Sequence, residues 1–319
     1  MKKLLTVLLG ALVLAACQTA PTTQKTAQGK DVVYFTRDIS PEGLVKIYDK
    51  ISKNIDGKVA IKFHTGEPHG PNILPVPMVK ALWEHIPNSR LVETNVFYDS
   101  PRKTTKGHRE TLKTNGWTFT EVDILDENGA VMLPVKGGKH FKEMSMGAHV
   151  LNYDSLVVLT HFKGHAMGGY GGALKQLSIG MGSTRGKTYQ HTAGVTDDQN
   201  KFFQNVCPDK TFKETMADAA WSVVDFFKGN MAFINVMKNI SIDCDCDGNA
   251  KLPVMKDIGI LSSTDPVALD KACLDLVYKS DDPGKEELIK RIEKLYGPHV
   301  IECSVQLGTG KSDYELITV

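Results

Sequence analysis

Along the chain, short runs of β-branched and aromatic residues alternate with stretches in which apolar residues recur every three or four positions. Residues 32–35 and 58–63 have the first pattern, and between them Leu44, Ile47, Tyr48 and Ile51 share one helical face. The rhythm then repeats. Val76, Val79, Leu82, Trp83 and Ile86 mark a helix, residues 90–94 a strand, 107–115 a helix ending before Gly116, and 118–124 a strand. Residues 156–159 are a nearly continuous apolar run, as expected for a strand covered on both faces. This alternation predicts an α/β fold with a mainly parallel sheet flanked by helices.

Beyond residue 195 the texture changes. Met216, Ala220, Val223 and Phe227 share a helical face, and residues 257–261 read as a strand. Asp265 and Pro266 then supply an N-cap and a first-turn proline for a helix through Leu269, Cys273, Leu276 and Val277. Residues 286–296 read as a surface helix closed by Gly297. We therefore expect two lobes with a cleft between them: an α/β lobe over 31–200 and a second α/β lobe over 201–319, with a soft boundary near 195–210.

The first thirty residues follow different rules. Lys2 and Lys3 precede an apolar run, Leu4 to Ala16, too short to span a bilayer as an ordinary helix. This reads as a signal peptide over 1–16. Leu14, Ala15, Ala16 and Cys17 resemble a bacterial lipoprotein box, which predicts a lipidated Cys17, a flexible tether over 17–30 and an extracytoplasmic protein anchored to a membrane through its N-terminal lipid. The whole chain of 319 residues carries 38 Lys and Arg against 37 Asp and Glu, a formal charge of +1. Removing Lys2 and Lys3 leaves 36 against 37, so no electrostatic footprint for nucleic acid exists.

Two apparent motifs fail on inspection. Residues 182–188 imitate a phosphate loop, but Met181 stands where its first glycine is required. Residues 243–248 imitate an EF-hand, but Val254 occupies the place of the bidentate glutamate. Cys244 and Cys246 within that segment are too close in sequence for an easy disulfide with each other, and are candidate soft metal ligands.

Histidine placement carries more information. His64 and His161 each close a strand, while His69, His108, His165 and His191 lie in loops or at helix starts near such ends. Ligands of open α/β sheets bind outside the strand C-termini, so these imidazoles, with Asn95, are expected to line one cleft. The richest segment follows His165: Gly168, Gly169, Gly171 and Gly172 let the backbone approach a ligand, and Lys175 offers a cation or an amine nucleophile.

Residues 161–165, 171–175, 243–246 and 257–270 resemble the family called domain of unknown function 362, over most of residues 31–319. Many members of that family carry a ferredoxin-like insert between the glycine-rich and Cys-Asp-Cys segments. Here that interval, 192–239, contains only Cys207, so a four-cysteine iron–sulfur cluster is not expected. Gly107, His108 and Arg109, then His165, the glycines, Lys175 and His191, are similar at a greater distance to the lactate racemase family, which uses a nickel pincer nucleotide. That resemblance implies Lys175 as cofactor tether, His191 as metal ligand, and His108 and His165 as the acid/base pair.

The expected function is thus a membrane-anchored racemase or oxidoreductase of this family. It would act on a small anionic hydroxy acid with a nickel pincer nucleotide or another divalent metal. The alternative is a non-catalytic lipoprotein that binds a metal or anion, or a redox partner.

Overall fold

The computed structural model describes residues 29–319. The signal peptide, the Cys17 lipidation site and nearly all of the tether lie outside the described residues.

The chain folds around one eight-stranded sheet. Its strands are β1 (Asp31–Thr36), β2 (Val59–Lys62), β3 (Ser89–Glu93), β4 (Asp123–Ile124), β7 (Ser155–His161), β10 (Met231–Met237), β11 (Gly259–Ser263) and β12 (Tyr314–Thr318). Their order is β12-β1-β11-β10-β7-β2-β3-β4. Every pairing is parallel except the two made by β11, which runs antiparallel to β1 and β10. Two hairpins stand apart from the sheet: β5 (Ala130–Pro134) with β6 (Glu143–Gly147), and β8 (Lys163–His165) with β9 (Gly169–Gly171).

Nine helices are described: α1 (Pro41–Tyr48), α2 (Val76–His85), α3 (Thr105–Thr114), α4 (Ala173–Ser178), α5 (Thr184–His191), α6 (Asp209–Phe227), α7 (Pro266–Lys279), α8 (Lys285–Lys294) and α9 (His299–Leu307). Their starts follow from local chemistry. Ser40, Thr104, Ser183 and Asp265 each accept a hydrogen bond from a first-turn backbone N–H.

Strand periodicity decides which helices cover which face. In β7, Val157 and Leu159 join the core made with α1 and α2, whereas Leu156 and Val158 join the core made with α4, α6, α7 and α9. Both β7 and β10 are buried along their whole length, as their unbroken apolar runs require.

The mainly parallel sheet flanked by helices is the architecture expected. The boundary near 195–210 does not interrupt the sheet: β10 pairs with β7 from before it, and β1 sits between β11 and β12 from after it. The strand expected over 118–124 shortens to Asp123–Ile124, because β3 offers β4 only Val92 and Glu93 as partners. Phe119 instead packs against Trp83 and Trp117. Among the described residues no helix is long and apolar enough to cross a membrane.

Candidate functional site

Parallel strands β2, β3 and β7 deliver their C-terminal ends to the same edge of the sheet, and the chain leaves each with a polar residue. β2 ends at Lys62 and continues through Phe63 to His64, and β3 ends at Glu93. Glu93 Oε2 lies 2.8 Å from Lys62 Nζ, its Oε1 lies 3.0 Å from His64 Nδ1, and Arg102 Nη1 stands 3.9 Å from Oε1. Burial alone would raise the Glu93 carboxyl, but Lys62 and His64 outweigh it and hold the group well below the usual carboxylate range. An ionised Glu93 accepts the Nδ1–H of His64, which fixes that imidazole's tautomer and leaves the lone pair on Nε2. That Nε2 is buried without a hydrogen-bond partner.

Against these strand ends stand the β8–β9 hairpin, α4 and α5, enclosing a cavity of about 210 Å³. His64, Glu93, His165, Lys175, Lys187 and His191 supply its polar lining, and Val96, Phe97, Met167 and Ile179 much of its apolar wall. The Lys175 amine makes no hydrogen bond or ion pair among the described residues; only the residue's backbone carbonyl is engaged, by Ile179, Gly180 and Ser178. Its helix α4 is held by Asp270 of α7, whose carboxylate accepts the N–H groups of Ala173 (2.8 Å) and Leu174 (3.0 Å). Gly172 permits this, since a Cβ there would lie 2.5 Å from Asp270 Oδ1.

His191 closes α5 with its ring stacked on Phe212, centroids 4.2 Å apart. Burial, reinforced by His165 and Lys175, holds it well below the ordinary histidine value, so it is a neutral imidazole, and its Nδ1 is buried without a partner. One turn earlier, Lys187 donates to Thr94 Oγ1 (2.5 Å) and the Gly182 carbonyl (2.6 Å), and burial lowers it to about 8.

His165 is fixed by its own hairpin. Its Nδ1 accepts the backbone N–H groups of Met167 (3.1 Å) and Gly168 (2.8 Å), which places the ring proton on Nε2. That Nε2 lies 3.9 Å from Cys246 Sγ, and the His165, Cys244 and Cys246 ligand atoms all fall within 4.8 Å of one another. Three such atoms are close enough for one ion, but an Nε2 that carries a proton presents no lone pair to it. In this tautomer the cluster is a dithiol facing an N–H donor.

Other expected site residues are placed elsewhere. His108 is fully buried behind the cavity wall, with Nε2 2.9 Å from Thr65 Oγ1 and Nδ1 3.3 Å from Asn95 Oδ1, and burial lowers it to about 3. With both nitrogens engaged, it does not line the cavity as one half of an acid/base pair. Asn95 is spent on His108 and Thr105. His161 uses both nitrogens, on Asp245 (2.9 Å) and the Lys238 carbonyl (2.6 Å). His69 is exposed and takes a positive φ of 61°. Gly168, Gly169, Gly171 and Gly172 shape the hairpin and the start of α4 rather than the cavity wall. Lys62, Glu93, Arg102 and Lys187 were not singled out for the site. For Lys62 and Glu93 the signal in the sequence is a charge at the closing position of an apolar strand, and for Lys187 a charge one turn before His191; Arg102, in the turn Pro101–Lys103, has neither.

A family model described as "Domain of unknown function (DUF362)" matches residues 59–275. No curated protein matches the sequence. Among solved structures, the lactate racemase apoprotein from Thermoanaerobacterium thermosaccharolyticum is 11% identical, with a TM-score of 0.38, covering 90% of this chain and 82% of that one. A crystal structure of a Thermotoga maritima protein is 14% identical, with a TM-score of 0.39, covering 83% of this chain. The chain spans 58% of the length of that second protein.

Proposed function

The chain belongs to the DUF362 family, and from that premise we propose that it is a metal-dependent isomerase or oxidoreductase acting on a small organic anion of the 2-hydroxy acid kind. The observation that carries this reading is the convergence, on one cavity, of an unengaged amine, Lys175, with two imidazoles that each have a partnerless buried nitrogen, His64 and His191. Unsatisfied buried donors and acceptors are costly, and their gathering at one site is what a ligand would relieve.

The donors fit a metal that arrives in its own chelate. His191 offers a single neutral imidazole, and among the described residues no two further ligands gather with it into a cage. Lys175 offers an amine at which such a group could be tethered. The volume fits less well: about 210 Å³ holds a small organic acid, and not a nucleotide beside it, when sites for drug-sized ligands run from roughly 300 to 1,000 Å³. A metal bound there would supply a Lewis acid.

The remaining work falls to the chain's own residues. The Lys187 ammonium group attracts the substrate carboxylate. His64, oriented through Nδ1 by Glu93, can take up and return a proton at Nε2, a role that the racemase resemblance implied for His108 and His165. Val96, Phe97 and Ile179 keep the reacting centre poor in water. Anchoring through Cys17 and an extracytoplasmic location belong to this proposal as well.

A second reading, binding without turnover, draws on the withdrawal of His108, which leaves one fewer imidazole for proton exchange. Enantiopure lactate incubated with natively produced protein separates the two. The enzyme reading expects racemisation, or pyruvate when an electron acceptor is supplied, with at least about a hundredfold loss in His64→Ala, the usual scale of general acid–base catalysis. Lactate that binds but is recovered enantiopure and unoxidised would leave the binding reading.

A further inference from the structure

The loop between β10 and β11 carries Cys244, Asp245 and Cys246, and the cavity chemistry above makes no use of either sulfur. Asp245 anchors the loop from within. Its carboxylate sits 2.9 Å from both His161 Nδ1 and Lys163 Nζ, and its carbonyl accepts the Glu67 N–H at 2.9 Å. This fixes the two flanking cysteines with their sulfurs no more than 4.8 Å apart. Cys244 is buried, whereas Cys246 is partly exposed. Cys246 lines the inner cavity on one side, and on the other an outer groove of about 450 Å³ with Pro68, Tyr98, Asp99, Asp247 and Asn249.

We propose that Cys244 and Cys246 are a redox-active dithiol that exchanges with small-molecule disulfides entering through the outer groove. The accessible Cys246 thiol gives its proton to the Cys244 thiolate beside it and attacks one sulfur of the incoming disulfide, forming a mixed disulfide; the first leaving thiolate takes that proton from Cys244 and departs as a thiol. Cys244 then attacks Cys246 Sγ, closing the Cys244–Cys246 bond and releasing the second thiol. Two electrons pass from the protein to the small disulfide, which leaves as two thiols, and the protein loses two hydrogens.

The surroundings suit each step. Cys244 Sγ accepts the Cys246 backbone N–H at 3.4 Å. The hydrogen bond from Cys246, then Lys175, Lys163 and His165, hold the Cys244 thiol well below its ordinary value against burial. The hydrogen bond to Cys244, then burial, hold the Cys246 thiol well above its ordinary value, so the pair keeps one proton, on Cys246, and the Cys244 sulfur is both the base that frees Cys246 and the resolving thiolate. A disulfide closed across a single residue is strained, which gives the high potential of a labile, exchanging bond rather than a structural one.

The test uses 2-hydroxyethyl disulfide, a neutral probe that the groove's Asp99 and Asp247 do not repel. Wild-type protein should lose two hydrogens by intact mass, with the new bond mapped to Cys244–Cys246 and no adduct retained. Cys244→Ser should retain one mercaptoethanol adduct on Cys246, and folded Cys246→Ser should acquire none at position 244. Circular dichroism confirms the fold of each variant. A wild type that keeps all its hydrogens, or one that retains the adduct as Cys244→Ser does, would overturn the proposal. Either result stands whether or not the cavity turns over a hydroxy acid.

Discussion

Lys187 carries the pH dependence of the cavity. Burial has lowered its ammonium to about 8, against the partial support of Asp126 and Glu93. It is charged below that value and neutral above it, so its pull on an anion is full at neutral pH and fades as pH rises through 8. Calorimetric titration with lactate should show binding weaken by about tenfold once this charge is gone, a difference of ~1.4 kcal/mol. Lys187→Met should bind at the weaker level throughout and lose the step. The same side chain shows why parts of the site escaped the sequence. A lysine in a polar helical stretch reads as solvated, and only the fold reveals it donating to Thr94 and the Gly182 carbonyl. His165, Lys175 and His191 were legible because glycines and spacing drew attention to them. His108 was legible as a histidine but not as a satisfied one, since Thr65 and Asn95, which occupy its nitrogens, lie far from it in sequence.

At the scale of elements, the short helix α4 matters most, because six residues are too few to hold a lysine in place by themselves. Its N-terminus borrows Asp270 from α7, and Asn235 Nδ2 of β10 donates to the same carboxylate at 2.7 Å. Gly172→Ala would force a methyl group to 2.5 Å from Asp270 Oδ1. The expected cost is about 1–3 kcal/mol in chemical denaturation, the scale of overpacking, with a matching loss of lactate binding as Lys175 shifts. Unchanged stability and binding would show that α4 does not depend on this clamp. The start of α7 at Asp265 and Pro266 was readable from local capping rules, whereas the clamp spans nearly a hundred residues and has no local signature. The hairpins β5–β6 and β8–β9 were likewise not read, because their strands are short and lack sustained alternation.

For the whole molecule, alternating strand and helix patterns were enough to predict a parallel α/β sheet, since β7 and β10 must be apolar on both faces to be covered twice. The order of strands was not readable. Residues from before and after position 200 interleave in one sheet, and only long-range pairing places β1 between β11 and β12. That interleaving carries β2, β3 and β7 to a common edge and brings Lys175 and His191 against it. The claim that this edge is a metal-bearing active site is tested most directly by the metal content of natively produced protein compared with His191→Ala. About one divalent metal ion per chain, lost on that substitution, is the result predicted. Metal-free protein, or metal retained in full by His191→Ala, would contradict it.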